Sequence, residues 1–270
     1  MATTRWMRWL LAGVLTVGGA SGCATLPEGQ SAWGSEATLT PGWDRVRDAA
    51  IGAAKDPQVW VPLAGAAVFS IGDFDEEVSD WAREETPIFG SQENARDWSD
   101  HLKSASAVSY WITALATPSG DEDWFANKAK GIAVGLSARA LTSWTTSGLK
   151  DAIGRERPDG SDDMSMPSGH SSAAAVNSRL ASRNLDHIPM SRNARRALNG
   201  GLLALSLGTG WARVEAGKHY PSDTLAGMAL DNWFAMFVND AFLGHDAGDT
   251  MGVTLEAVPD GAIVRFYRIY

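Results

Sequence analysis

Two histidines, one carboxylate and three cations occupy three short stretches of this chain, in an order suited to moving a phosphoryl group. The first stretch, residues 150–158, reads K-D-A-I-G-R-E-R-P and holds Lys150 and Arg157. The second, residues 167–170, is P-S-G-H and ends on His170. The third, residues 212–223, is A-R-V-E-A-G-K-H-Y-P-S-D and carries Arg213, His219 and Asp223. A phosphate dianion removed from water needs several positive donors, and the arginine fork matches its oxygens. Ser168 and Gly169 fall where a helix is expected to begin, so free backbone N–H groups and the helix dipole would also favour an anion there. A histidine attacks phosphorus when an acceptor holds its other ring nitrogen. Asp223, four residues beyond His219, is expected in that place. His170 suits the second role, giving a proton to the leaving oxygen and then activating water.

These stretches resemble the signatures of the type 2 phosphatidic acid phosphatases, which share a helical fold with class A bacterial acid phosphatases and vanadium haloperoxidases. Lys-x6-Arg-Pro is matched at Lys150, Arg157 and Pro158; Pro-Ser-Gly-His at Pro167, Ser168, Gly169 and His170; and Ser-Arg-x5-His-x3-Asp at Arg213, His219 and Asp223. Ala212 replaces the serine of the third signature, with the loss of a hydroxyl contact. The resemblance implies His219 as nucleophile, His170 as general acid and Asp223 as the partner of His219. It implies phosphate binding by Lys150, Arg157, Ser168, Gly169 and Arg213, with no metal and no other cofactor. It implies an all-α helical bundle of the acid phosphatase and haloperoxidase type that hydrolyses phosphate monoesters or diphosphates through a phosphohistidine. Lipid phosphates are the first substrate class. Soluble phosphomonoesters, vanadate-dependent halogenation and a relic site without activity are the alternatives.

The elements that must carry these residues show helical periodicity of apolar positions. It starts near Trp43 and predicts helices over residues 97–117, 123–153, 168–185, 191–213 and 222–243, with Ser168 as an N-cap. Residues 59–70 form a short apolar segment, and Asp73 and Asp75 precede or open another helix. Residues 154–167 read as a polar loop whose acids Asp159, Asp162 and Asp163 form a solvated rim. Gly200, Gly201, Gly208 and Gly210 are expected at close helix packing, and most of the 12 tryptophans in the core or in helix packing. Residues 253–258 and 262–270 are strand-like around Pro259-Asp260-Gly261, which predicts a C-terminal β-hairpin.

The N-terminus reads as a secretory leader: Arg5 and Arg8, an apolar run over residues 10–17, then small residues before Cys23, the one cysteine. The pattern resembles a bacterial lipobox, which implies lipidation of Cys23. Ala24 after it implies outer-membrane sorting, facing the periplasm. The expected organisation is a signal peptide over residues 1–22, a tether over 23–41, the helical domain over 42–245 and a hairpin tail over 246–270. Later apolar runs are broken by Arg139, Asp231 and Asp240 and read as buried helices, so the membrane partner is reached through the lipid anchor. A formal net charge of −9 argues against nucleic acid as a partner.

Overall fold

The structure is a computed structural model that describes residues 31–244, 250–258 and 261–269. The leader and Cys23 lie outside the described residues. The fold is all-α. Eight described helices follow in order: α1 (Trp43–Lys55), α2 (Pro57–Phe69), α3 (Phe74–Glu85), α4 (Gln92–Ala116), α5 (Trp124–Ile153), α6 (Gly169–His187), α7 (Arg192–Glu215) and α8 (Pro221–Val238). A single π-helical turn, Asn239–Leu243, closes α8. Strands β1 (Thr250–Val258) and β2 (Gly261–Ile269) then pair antiparallel, with Val258 opposite Gly261, as the sequence pattern predicts.

The centre of the bundle is α6, which packs on α4, α5, α7 and α8. Its first turns are nearly all Ser and Ala, and small side chains let four neighbours approach. It also carries two buried arginines. Arg179 meets Asp56 at 2.6 Å, and Arg183 pairs with Asp240 of the π turn. Asp56 caps α2 as well, accepting from the Gln58 N–H at 2.8 Å. One ion pair thus ties the start of α2 to the central helix, and its partnering is what makes buried charge tolerable.

Helix ends lie within two to five residues of the expected boundaries, because caps fix them. Ser91, Ser168 and Ser191 each accept a hydrogen bond from a backbone N–H of the helix they open. Three expectations need correction. Residues 31–41 do not run free as a tether: Trp33 is buried, its N–H meets the Pro118 carbonyl at 3.1 Å, and its ring fills the space that Gly131 of α5 leaves open. A buried tryptophan removes enough apolar area to hold such a segment. Gly208 and Gly210 pack closely, against Leu102 and Met228, while Gly200 and Gly201 face open space. Among the described residues most tryptophans are not core residues; Trp43, Trp81, Trp98, Trp111, Trp124 and Trp144 are exposed, since narrow stripes of Ala, Ser and Gly between the helices leave no room for them.

Buried Asp231 on α8 sits near Ser172 and Thr142, and burial pushes its carboxyl up to about 8. In the unfolded chain the group ionises near 4. The unfolded state therefore holds fewer protons between those values, and stability falls as pH rises through that window. Asp231→Asn is expected to raise the melting temperature, by more at pH 8 than at pH 5. Thermal unfolding followed by circular dichroism at the two pH values checks this; an equal change at both would reject it.

Candidate active site

The three signature stretches meet where α5, α6, α7 and α8 begin or end. Lys150 lies in the last turn of α5, Gly169 and His170 open α6, and Arg213 lies in the last turn of α7. His219 precedes α8, and Asp223 sits in its first turn.

His219 is 2% exposed, and its Nδ1 is 2.6 Å from the Ser165 carbonyl. A carbonyl only accepts, so Nδ1 carries the proton and Nε2 keeps its lone pair. Arg157 Nη1 stands 3.4 Å from that Nε2. Burial first, then the fields of Arg213, Lys150 and Arg157, hold the ring well below the usual histidine range. It is neutral, with a free lone pair beside three cations.

Those cations crowd one another. Burial, then Arg157, pushes Lys150 down to about 8; burial, then Arg157, brings Arg213 down to about 10. Lys150 Nζ donates to the Met164 carbonyl, and a Cβ on Gly169 would lie 3.8 Å from Lys150 Cε. Arg213 is buried; Nη1 reaches Ser99 Oγ at 3.4 Å, and Nε has no hydrogen-bond partner. Arg157 is held by Asp162 and by the Lys218 carbonyl at 3.1 Å. Asp162 is therefore no part of a merely solvated rim, and Asp159 likewise pairs with Lys218.

Two expected arrangements differ. Asp223 does not hold His219 directly: Oδ2 is 4.0 Å from Nδ1. It accepts instead from Ser165 Oγ at 2.5 Å, from the Tyr220 N–H at 2.9 Å and from Arg155 Nη1 at 2.8 Å. The nearer Ser165 carbonyl takes the imidazole proton, and Asp223 fixes the serine that supplies it. Ser168 gives its N–H to the Asp223 carbonyl at 3.1 Å and uses its hydroxyl as the cap of α6. Its backbone donor is thus committed, and Gly169, at the first helical position, is left with the orphan N–H.

Several residues at the site carried no signal in the motifs. Arg155 also pairs with Asp75 at 2.8 Å and lies 3.9 Å over the Tyr220 ring, while Asp75 accepts from the Ser222 N–H at 2.9 Å. Asp100 and Lys103 of α4 both meet His170 Nε2, at 2.9 and 3.0 Å, and each other at 2.8 Å. Burial, then Arg213, brings His170 down to about 4, with Asp100 opposing the fall and Lys103 adding to it. Asp100 itself is lowered to about 2 by its hydrogen bonds from Lys103 and His170. Their i, i+3 spacing on one helix face was the available clue. Among the described residues no helix is long and apolar enough to cross a membrane.

Residues 131–239, which hold every residue of the three signatures, match the model of the PAP2 superfamily. The chain is 33% identical over 128 residues to a lipid A 1-phosphatase of Rhizobium johnstonii, covering 42% of this chain and 46% of that protein. It is 32% identical over the same length to a lipid A 1-phosphatase of Rhizobium etli, covering 42% of this chain and 48% of that one. The match thus spans about half the length of these curated relatives. A transmembrane PAP2-type phosphatidylglycerolphosphate phosphatase of Bacillus subtilis superposes with a TM-score of 0.49 at 20% identity, over 69% of this chain and 94% of that one.

Asp100 and Lys103 act on His170 with opposite sign. Asp100→Asn is expected to lower the pKa of His170, and Lys103→Met to raise it, each by several tenths of a unit or more. Two-dimensional NMR titration of the labelled histidines reads both shifts. Shifts in the same direction would show that the substitutions act by general distortion.

Proposed function

We propose that the protein is a phosphoric ester hydrolase that works on phosphorylated lipids through a phosphohistidine. The observation that carries this reading is the convergence of Lys150, Arg157 and Arg213 on the unprotonated Nε2 of a buried His219, with Arg213 Nε unpartnered. Buried donors without an acceptor are costly, and a phosphate oxygen would satisfy them.

In this mechanism Nε2 attacks phosphorus in line with the leaving oxygen. The P–N bond forms, the P–O bond breaks, and His170, whose imidazolium form Asp100 and the incoming dianion both favour, gives its proton to the departing alkoxide or phosphate. His219 keeps its Nδ1 proton on the Ser165 carbonyl, which stabilises the charge that develops on the ring. His170, now neutral, takes a proton from water, whose oxygen attacks phosphorus and displaces His219. The cations and the Gly169 N–H hold the equatorial oxygens throughout, the main catalytic term in such transfers. No step calls for a metal.

A lipid is favoured over a soluble ester by an apolar groove of about 390 Å³ beside the site, walled by Val59, Trp60, Leu63, Leu149, Met166 and Trp233. Pro167, also in its wall, directly precedes Ser168, so hydrocarbon in the groove lies within a few residues of the phosphate. The names of the Rhizobium relatives point the same way. Lipidation at Cys23 would hold the domain against the outer membrane from the periplasmic side, with residues 24–30 as the remaining tether. On this reading the catalytic unit expected over residues 42–245 also takes in residues 31–41, with residues 246–270 as the tail. A broad acid phosphatase for soluble esters is the second reading, since the cation cluster grips the phosphate itself and not the group it is attached to.

His219→Ala is expected to keep under about one percent of the phosphatase rate while remaining folded. A lipid phosphate in mixed micelles is expected to turn over at a higher kcat/KM than a small aryl phosphate. Turnover of soluble esters alone would move the assignment to the second reading. Cys23→Ser is expected to shift the protein from the membrane fraction to the soluble fraction.

A further inference from the structure

Helix α2 has no polar side. Residues 57–72 hold no charged side chain, and residues 61–69 hold none that can hydrogen-bond. Val61, Leu63 and Val68 of α2 are 49, 56 and 54% exposed, and Ile71, just after it, is 70% exposed. Val61 and Val68 are seven residues apart and so lie on one stripe of the helix. The opposite side is apolar as well: Val59 and Ala66 are buried, and Gly65 lies close to Leu225 of α8. The hydroxyl at the end of α2, on Ser70, is spent on the Ala66 carbonyl at 2.9 Å. A helix apolar all round normally lies in a core or in lipid. This one packs on α8 and α1 and leaves its outer stripe uncovered.

The stripe runs into the apolar groove. Leu63 belongs to both, and Ile153, exposed at the end of α5, borders the groove from the other side. A protein seated here would find no hydrogen-bonding side chain over residues 61–69, although protein interfaces carry about one hydrogen bond per 100–200 Å². It would also close the groove. A lipid surface asks for no such groups and leaves the groove in contact with hydrocarbon. At 13 residues, about 20 Å, α2 is too short to cross roughly 30 Å of hydrocarbon, so it would lie along the surface rather than span it. The formal net charge of −9 gives no pull toward anionic headgroups, so the contact would rest on apolar area. Cys23 stands eight residues before the first described one, a reach of roughly 28 Å. A lipid on it would keep the domain near the bilayer without fixing which side looks at it; an apolar face does fix it.

We propose that the outer side of α2, from Val61 to Ile71, is a membrane-contacting face that sinks into the surface of a lipid bilayer and opens the apolar groove to it. For the use of the groove this face rests on the lipid-phosphate reading above. The hydrocarbon of a substrate passes from the bilayer along Leu63 into the groove, while its phosphate stays at the level of the cations. The domain meets the membrane on one side only, with α7 turned to water.

The full chain with Cys23→Ser has no native thiol, so one environment-sensitive dye can be placed on Ile71→Cys or, for reference, on Leu207→Cys, an exposed position of α7. With uncharged phosphatidylcholine vesicles, the dye at position 71 is expected to shift to the blue and to be quenched by nitroxides on the acyl chains. The dye at position 207 is expected to do neither, and the contrast to persist at high salt. Val61→Glu combined with Val68→Glu, neither of which lines the groove, is expected to remove the response at position 71. The same pair is expected to raise KM for a lipid phosphate in vesicles about tenfold or more, since carboxylates resist entry into the bilayer, and to leave the rate on a small aryl phosphate unchanged. A dye at position 71 that stays in water, or two dyes that respond alike, overturns the face. A blue shift at position 71 without vesicles, with sedimentation as a dimer, gives the stripe to a second copy and overturns it as well. If no ester is hydrolysed, the phosphatase reading falls, and the two dyes still decide the face.

Discussion

Three like charges held together in a buried place constrain everything else in this molecule. Lys150, Arg157 and Arg213 each lower the proton affinity of His219, and Arg157 also destabilises the charge on the other two. One exposed carboxylate, Asp162, pairs with Arg157, and none pairs with Arg213 among the described residues. Such a cluster raises the energy of the folded state until an anion enters. The bundle must therefore be stiff enough to keep the cations from separating: Lys150 and Arg213 sit in the last turns of two packed helices, and Arg157, in the loop after α5, is held by Asp162 and the Lys218 carbonyl.

Stiffness comes from a ring of acids set behind the cations. Asp75, Asp223 and Glu215 are buried, and each gathers backbone donors or arginine. Glu215 takes the Ile88 and Phe89 N–H groups at 3.0 Å, which pins the connection before α4 against the end of α7. Arg155 bridges Asp75 and Asp223 and so joins α3 to the start of α8. The loop between α5 and α6 is held through the same pair, by Ser165. The positive face proposed to meet substrate and the acidic network behind it are two sides of one arrangement. The second supplies the positional order that the first lacks by itself.

The grouping of the two histidines and three cations was legible in the sequence because they lie in short motifs with fixed spacing, and the helices because their apolar positions repeat at helical spacing, with Ser168 capping α6 as expected. What stayed hidden depended on distance in space. Asp223 is one turn from His219 along the chain, which suggests a direct bond, yet the rotation of α8 aims its carboxylate at Ser165. Arg155 and Arg157 are two residues apart and alike in type; only the fold shows one facing the acids and the other the imidazole. Asp100 and Lys103 lie about 70 residues before His170 and looked like any i, i+3 surface pair. Trp33 appeared to belong to a tether because its surroundings are Gly and Ser, and no local pattern reveals that Gly131 leaves a recess for it.

A further consequence follows from the position of Lys150. Held to about 8, it is the one of the three cations whose charge changes near neutral pH. A bound dianion stabilises its ammonium form, so binding and protonation are linked: above pH 8, phosphate entry draws a proton onto Lys150, and phosphate departure returns it. Arg213, held to about 10, stays charged there, and Arg157 keeps its place through Asp162 and the Lys218 carbonyl. The site then divides its positive charge into a fixed part that orients the substrate and a variable part that matches the charge of what is bound. On the proposed function, this division would ease release of a dianionic product otherwise gripped as firmly as the transition state.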